Sequence, residues 1–151
     1  MKEDICPHPK YQLRVWRRVS GWRGETLSDL KDAEERLDRL ISEISGETTE
    51  EQVRSMWRAY IEIEKSILFI RVEIGEENPG RFVKFRKYFV PDERQALQFA
   101  LRNLKKGSQG FILGDFKGSL RDLRESRSYI RATLRAKRRF RARSTRASPA
   151  R

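Results

Sequence analysis

Aromatic and basic side chains alternate along two segments, residues 67–74 and 81–90, which are rich in β-branched and aromatic residues. In an extended chain, side chains two positions apart share one face. Pairing the segments so that their aliphatic residues form one apolar face leaves rings and cations on the other. Such a face can stack unpaired bases while it neutralises phosphates. We therefore predict nucleic-acid contacts from Phe69, Arg71, Phe82, Lys84, Arg86 and Tyr88.

The turn between these segments contains Asn-Pro-Gly at positions 78–80, so residues 67–90 predict a β-hairpin. A one-residue slip would bring Lys84 and Arg86 among the isoleucines, so the pattern selects the register. In the alternative interpretation, a helix covers the aromatic rings, and the cations form an ordinary solvated rim around them. Helical spacing also continues through Ile63 and Ile67, but the β-branched residues and strict alternation favour a strand from about residue 66.

The N-terminal part predicts one strand followed by two helices. Residues 11–19 alternate with period two, and Arg14, Trp16 and Arg18 on their polar side add a ring and two cations to the predicted nucleic-acid contacts. Two glycines follow, and a helix capped by Thr26 then runs to Gly46. A second helix begins with a capping box and is predicted to carry Val53, Met56, Trp57 and Tyr60 on one side. A short loop makes this pair antiparallel.

The C-terminal half predicts two further helices separated by a brief strand. Asp92 and Glu93 suit the first turn of a helix that ends at Gly107, and residues 111–113 form the strand. The last helix begins at Ser119, and Arg127 interrupts its apolar stripe. The predicted fold class is therefore α+β: a small antiparallel sheet around hairpin 67–90, an N-terminal helix pair and a long basic C-terminal helix. The domains are a flexible lead-in at 1–10, one α+β domain at 11–134 and a disordered basic tail at 135–151.

Charge is distributed unevenly along the chain. The 34 Lys and Arg and 22 Asp and Glu give a net charge of +12, which favours a polyanionic partner. Residues 25–64 nevertheless hold 12 acids and 5 bases, whereas residues 131–151 hold nine bases and no acid. This tail neutralises phosphates without selecting bases. Its predicted contacts are Arg135, Lys137, Arg138, Arg139, Arg141 and Arg143.

Catalytic and metal-binding patterns are not evident in the sequence. Cys6 and His8 are the only residues of their kinds, whereas a closed zinc site needs four ligands, usually Cys or His. The carboxylates cluster only on the predicted helix pair, and the spacing of the glycines matches no phosphate-binding loop. We therefore expect no enzyme, no cofactor and no metal.

The hairpin ILFIRVEIGEENPGRFVKFRKYFV, the following PDERQALQFAL helix and a C-terminal helix able to dimerise resemble the archaeal ThermoDBP family of single-strand-binding proteins. The resemblance covers residues 67–134. It implies a sheet with a basic, aromatic-lined cleft for single strands.

Two functions follow as expectations. The first is sequence-tolerant binding of nucleic acid, preferring single-stranded DNA or RNA. The alternative is a non-catalytic scaffold or interaction subunit of a ribonucleoprotein or replication assembly, with a protein partner docked on the acidic helices at 26–64. The stripe at 119–134 can pack on the body or pair with a second copy to form a homodimer. No apolar run approaches the ~20 residues of a membrane span, and the single cysteine fits the reducing cytoplasm.

Overall fold

The computed structural model describes residues 21–76 and 92–146, and their side chains as far as Lys137. It contains four α-helices: α1 (Trp22–Glu43), α2 (Glu50–Ile74), α3 (Glu93–Ile112) and α4 (Phe116–Arg146). The part of the chain described contains no strand. The predicted α+β class is therefore wrong, and the described residues form an all-helical four-helix bundle.

The helices pack around one core. Helix α1 packs against α2 and α3, and α4 packs against the same two helices, so α1 and α4 lie diagonally across the bundle. Trp22, Phe111 and Phe116 meet at one end, with ring centroids 5.6–6.3 Å apart. At the opposite end, the Arg94 guanidinium donates to the Ile41 carbonyl at 2.9 and 3.1 Å. All four pairs of neighbouring helices are consequently antiparallel.

Helix α2 overturns the hairpin prediction. It runs without interruption to Ile74 and buries Ile63, Ile67 and Ile70 at helical spacing. A β-branched residue costs only a few tenths of a kcal/mol in a helix, whereas burying an isoleucine stabilises by about 1.5–3 kcal/mol. Core packing therefore outweighs the strand propensity of residues 67–74. The second predicted strand, residues 81–90, and the strand at 11–19 lie outside the described residues.

Both ends of α2 have specific local causes. The predicted capping box is confirmed: the Gln52 amide donates to Thr49 Oγ1 at 3.2 Å, and the Thr49 amide donates to Gln52 Oε1 at 3.0 Å. At the other end Gly75 has a φ of 70°, which the left-handed turn requires. The amide of Glu76 donates to the Arg71 carbonyl at 3.0 Å and that of Gly75 to the Val72 carbonyl at 3.2 Å, which completes a Schellman motif.

Helix α3 continues through the predicted stop at Gly107 and ends at Ile112, inside the predicted strand at 111–113. A Cβ at Gly107 would lie 2.8 Å from the Leu123 side chain, so glycine here permits close approach of α4. Ser119 Oγ donates to the Gly107 carbonyl at 2.6 Å, and Ser126 Oγ donates to the Ala100 carbonyl at 2.7 Å. These glycine and serine positions serve helix–helix packing, whereas Gly114, at φ 79°, is the residue that ends the helix.

Helices α1 and α4 begin earlier than predicted. Helix α1 starts at Trp22 and contains Gly24, so Thr26 is a buried helical residue rather than the cap. Helix α4 starts at Phe116, because the Asp115 carboxylate accepts from the Gly118 amide at 3.0 Å. The helix then extends to Arg146, so residues 135–146, expected in a disordered tail, belong to α4.

Candidate nucleic-acid interface

The C-terminal half of α4 is the most basic part of the described chain. Residues 131–146 contain eight bases and no acid, and all of them lie within one helix. Arg135 is exposed, whereas Lys137 is half-buried and forms an ion pair of 2.9 Å with Glu93 of α3. The predicted contacts at positions 138, 139, 141 and 143 follow in the same helix. At 1.5 Å per residue, the basic segment is about 23 Å long.

Of the six nucleic-acid contacts predicted in the hairpin, the structure describes two, Phe69 and Arg71. Both lie on α2 rather than on a sheet. Phe69 packs against the core, with the Lys65 ammonium 5.8 Å from its ring centroid. The Arg71 guanidinium lies 3.4 Å from the Glu76 carboxylate. The structure therefore does not place these residues on a common stacking face.

The remaining predicted contacts lie outside the described residues. Seven residues are concerned: Arg14, Trp16, Arg18, Phe82, Lys84, Arg86 and Tyr88.

Ion pairs neutralise part of the acidic block at residues 25–64. Between α1 and α2, Arg36 contacts Glu62 at 3.0 Å, and Lys65 contacts Glu25 at 2.8 Å and Asp29 at 3.2 Å. These pairs cross the helix interface. Some acids of the block thus link the two helices, whereas others, such as Asp32, Glu35 and Asp38, are exposed.

Helix α4 supplies further neutralisation. Arg127, which interrupts the apolar stripe of α4, donates from Nη1 to both oxygens of Glu64 at 3.1 and 3.2 Å. Arg124 donates in the same way from Nη2 to Glu76 at 2.9 and 3.2 Å. The stripe itself packs inside the bundle: Leu120, Leu123, Ile130 and Leu134 are all buried.

Two groups between α1 and α2 have shifted pKa values. Burial raises the pKa of the Glu62 carboxyl, against the opposing hydrogen bond from Arg36. The hydrogen bond to Glu25 raises the pKa of the Lys65 ammonium. The Glu62 carboxyl is therefore protonated more easily, and the Lys65 ammonium deprotonated less easily, than the same groups free in water.

Trp57 is the feature that the sequence prediction misplaced. We expected it on the same side of α2 as Met56, but the core face is defined by Met56, Ile63, Ile67 and Ile70. Trp57 lies outside that face and is 48% exposed. Its indole makes an edge contact with the Tyr60 ring, with centroids 5.6 Å apart and planes at 82°. The seven-residue spacing between Met56 and Ile63 was the sequence signal that could have identified the core face of α2.

A second aromatic group lies between α3 and α4. The rings of Phe99 and Tyr129 stack at 5.5 Å, and the Arg102 guanidinium lies 5.6 Å from the Phe99 centroid. Phe99 thus already has a ring and a cation as neighbours within the chain, and both aromatic rings are half-buried. This group contributes mainly to packing between the two helices.

Neither a metal-binding cluster nor a membrane-spanning helix occurs in the described residues. Within 21–76 and 92–146, no three His, Cys, Asp or Glu side chains lie close enough to hold a metal ion. None of the helices described combines the length and the apolar character that crossing a membrane requires.

Comparison with protein-family models, curated proteins and solved structures finds no match to this chain. These comparisons therefore neither support nor refute the resemblance to the ThermoDBP family.

Proposed function

We propose that this protein binds nucleic acid without strong sequence preference, and that the basic part of α4 supplies most of the affinity. The observation that carries the proposal is that residues 131–151 contain nine bases and no acid. Helix α4 includes this segment as far as Arg146. Lys and Arg that neutralise phosphates release counterions, and this release favours binding to any sequence.

The distribution of ion pairs supports the same proposal. Two acids near the middle of α2 are already paired, Glu62 with Arg36 and Glu64 with Arg127. Within α4, residues 116–130 hold four bases and two acids, whereas residues 131–146 hold eight bases and no acid. The long-range field of the protein therefore directs a polyanion toward the end of α4.

The test is a charge-removal variant with a matched control. Replacing Arg138, Arg139, Arg141 and Arg143 with Gln removes four charges and keeps good helix formers. For a fluorescent (dT)30 strand, the slope of log K against log salt should fall by up to about 2.8, since each lost phosphate contact contributes about 0.7. Circular dichroism checks that the helix content is retained.

The control removes the same number of charges elsewhere. Lys31, Arg39, Lys105 and Lys106 are exposed on α1 and α3. Their replacement by Gln should change the slope by less than about 1, because they are not proposed to contact phosphates. Equal effects of the two variants would show that only net charge matters and would reject α4 as the interface.

The second candidate function is that of a non-catalytic subunit in a ribonucleoprotein or replication assembly. The observation that favours it is the exposure of two aliphatic side chains on α2, Ile61 at 59% and Leu68 at 57%. Exposed apolar side chains on one helix face are typical of protein contacts. Replacing both with Ser should weaken a protein contact and leave the (dT)30 affinity within about twofold, since neither residue is proposed to touch the strand and no charge is added.

We also propose a cytoplasmic location. The chain has one cysteine, which excludes an internal disulfide and fits a reducing compartment. A nucleic-acid partner would be available there. Fractionation of cells that express the tagged chain tests this location.

A further inference from the structure

The exposed surface around Trp57 combines an aromatic ring with two cations. Among the aromatic side chains described as far as Lys137, Trp57 is the one that is exposed; Trp22 and Phe111 are buried at the end of the bundle. Arg54 and Arg58 lie one turn before Trp57 and next to it on α2, and both are exposed. No hydrogen bond or ion pair involves either guanidinium within the part of the chain described here.

These two arginines differ from the other charged residues along α2. Glu62, Glu64, Lys65, Arg71 and Glu73 each form an ion pair with a described residue. The acids at the start of α2, Glu50 and Glu51, occupy the first turn, where the helix dipole favours negative charge. The two cations of this helix that form no ion pair within the part of the chain described here therefore lie beside the exposed indole.

Contacts within the protein hold the indole in place. The Tyr60 ring supports one edge of Trp57 at 5.6 Å, and the Tyr60 hydroxyl donates to Glu64 Oε1 at 2.9 Å. Glu64 is held in turn by Arg127 of α4. A ring fixed in this way loses little conformational freedom when a ligand stacks on it.

The same surface adjoins the basic half of α4. Arg127 and Arg131 of α4 lie close enough to the Tyr60 hydroxyl to lower its pKa. Burial and the hydrogen bond to Glu64 outweigh them, so the pKa of Tyr60 is raised. Because α2 and α4 are antiparallel, the chain of α4 beyond Arg131 passes toward the N-terminal turns of α2. The ring and its two arginines therefore lie next to the proposed phosphate-binding segment.

We propose that Trp57 stacks on an unpaired base and that Arg54 and Arg58 neutralise the phosphates on either side of it. This inference rests on the proposed nucleic-acid binding and adds a preference for single strands. A base in a duplex is already stacked on its neighbours, whereas every unpaired base offers a free face to an aromatic ring. The basic segment of α4 binds both forms, and Trp57 distinguishes them.

The experiment compares (dT)20 with a 20-base-pair duplex by fluorescence anisotropy. Trp57→Ala should weaken binding of (dT)20 by about 5- to 150-fold, the range typical of removing a stacking ring, and change duplex binding by less than about twofold. Trp57→Phe keeps a ring and should restore most of the loss. Replacing both Arg54 and Arg58 with Gln should lower the salt slope for (dT)20 by about 1.4.

Leu68→Ala provides the matched control. Leu68 is exposed on the same face of α2, three turns from Trp57, and its neighbour Arg71 is already paired with Glu76. This variant should bind both probes as the unmodified chain does. Because both side chains are exposed, neither alanine substitution should prevent folding, and thermal melting checks that expectation.

The outcomes separate this inference from the function on which it rests. If the unmodified chain binds (dT)20 and Trp57→Ala binds it equally well, the stacking site is rejected while α4 binding stands. In that case the exposed face of α2 is better explained as a docking surface for a protein. If the unmodified chain binds neither probe at low salt, both proposals fail.

Discussion

Replacing Gly107 with Ala should destabilise the bundle, although Gly→Ala normally stabilises a helix. The added Cβ would lie 2.8 Å from both Cγ and Cδ2 of Leu123 and 3.4 Å from its backbone nitrogen. Leu123 is fully buried, so its side chain cannot move aside without disturbing the core. Overpacking typically costs about 1–3 kcal/mol, whereas the gain in helix propensity is about 1 kcal/mol. The net destabilisation is therefore up to about 2 kcal/mol.

Gly24→Ala is the matched control for this substitution. Gly24 also lies inside a helix, but a Cβ there meets nothing within 4 Å. This variant should gain about 0.4–1 kcal/mol. For a chain of this size, 1 kcal/mol shifts the melting temperature by about 2–4 °C, so thermal circular dichroism should resolve the two variants in opposite directions.

A double-mutant cycle tests the assigned cause. Leu123→Ala alone should cost about 2–5 kcal/mol, but it removes the atoms against which the methyl group added by Gly107→Ala clashes. The two substitutions together should therefore cost at least about 1 kcal/mol less than their sum. The reasoning is refuted if Gly107→Ala stabilises as much as Gly24→Ala, because α3 and α4 would then not approach so closely.

Three further predictions concern the ends of α2 and one of its buried charges. Thr49→Ala removes the hydroxyl that caps α2 and should cost about 1 kcal/mol in urea unfolding, with a smaller loss for Thr49→Ser. Gly75→Ala places a Cβ at a φ of 70° and should cost about 1 kcal/mol, a loss that Gly75→Asn should partly avoid. The pKa of the Glu62 carboxyl is higher in the folded than in the unfolded protein, so the folded state binds its proton more tightly. The resulting stabilisation is fully present at a pH below the pKa of the unfolded state, and it is lost as the pH rises through the pKa of the folded state. Glu62→Gln should consequently raise the melting temperature, relative to the unmodified chain, more at pH 7 than at pH 4; an equal difference at both pH values would contradict this.

Local signals in the sequence predicted several features of the bundle correctly. The capping box at Thr49 and Gln52 is confirmed, and so is the antiparallel pairing of α1 with α2. The helix predicted to have Asp92 and Glu93 at its first turn begins at Glu93, with Asp92 as its cap. These features depend on residues a few positions apart, and sequence patterns record such relations directly.

The errors arose where distant residues decide the structure. Between residues 67 and 74 the strand and helix patterns coincide, and the choice depends on whether Ile67 and Ile70 find a core supplied by other helices. Gly107 was predicted to end α3, because its packing against Leu123 of α4 is invisible in the local sequence. The role of Arg127 likewise depends on Glu64, which lies 63 positions away.

The candidate interface was predicted only in part. The basic run that begins at Arg131 can be recognised from amino-acid composition alone. The structure places its first 16 residues in α4. The exposure of Trp57 depends on which face of α2 enters the core, so the pattern alone assigned it to the wrong side.

Photo-cross-linking to a single strand tests the central claim most directly, since it locates the bound nucleic acid on the protein. The probe is (dT)20 with 4-thiothymidine at one internal position, and the cross-linked peptides are identified by mass spectrometry. We predict cross-links in the peptide that contains Trp57 and in peptides from residues 131–146, with competition by unlabelled (dT)20. Cross-links confined to the outer face of α1, around Asp32 and Glu35, would contradict the proposed interface.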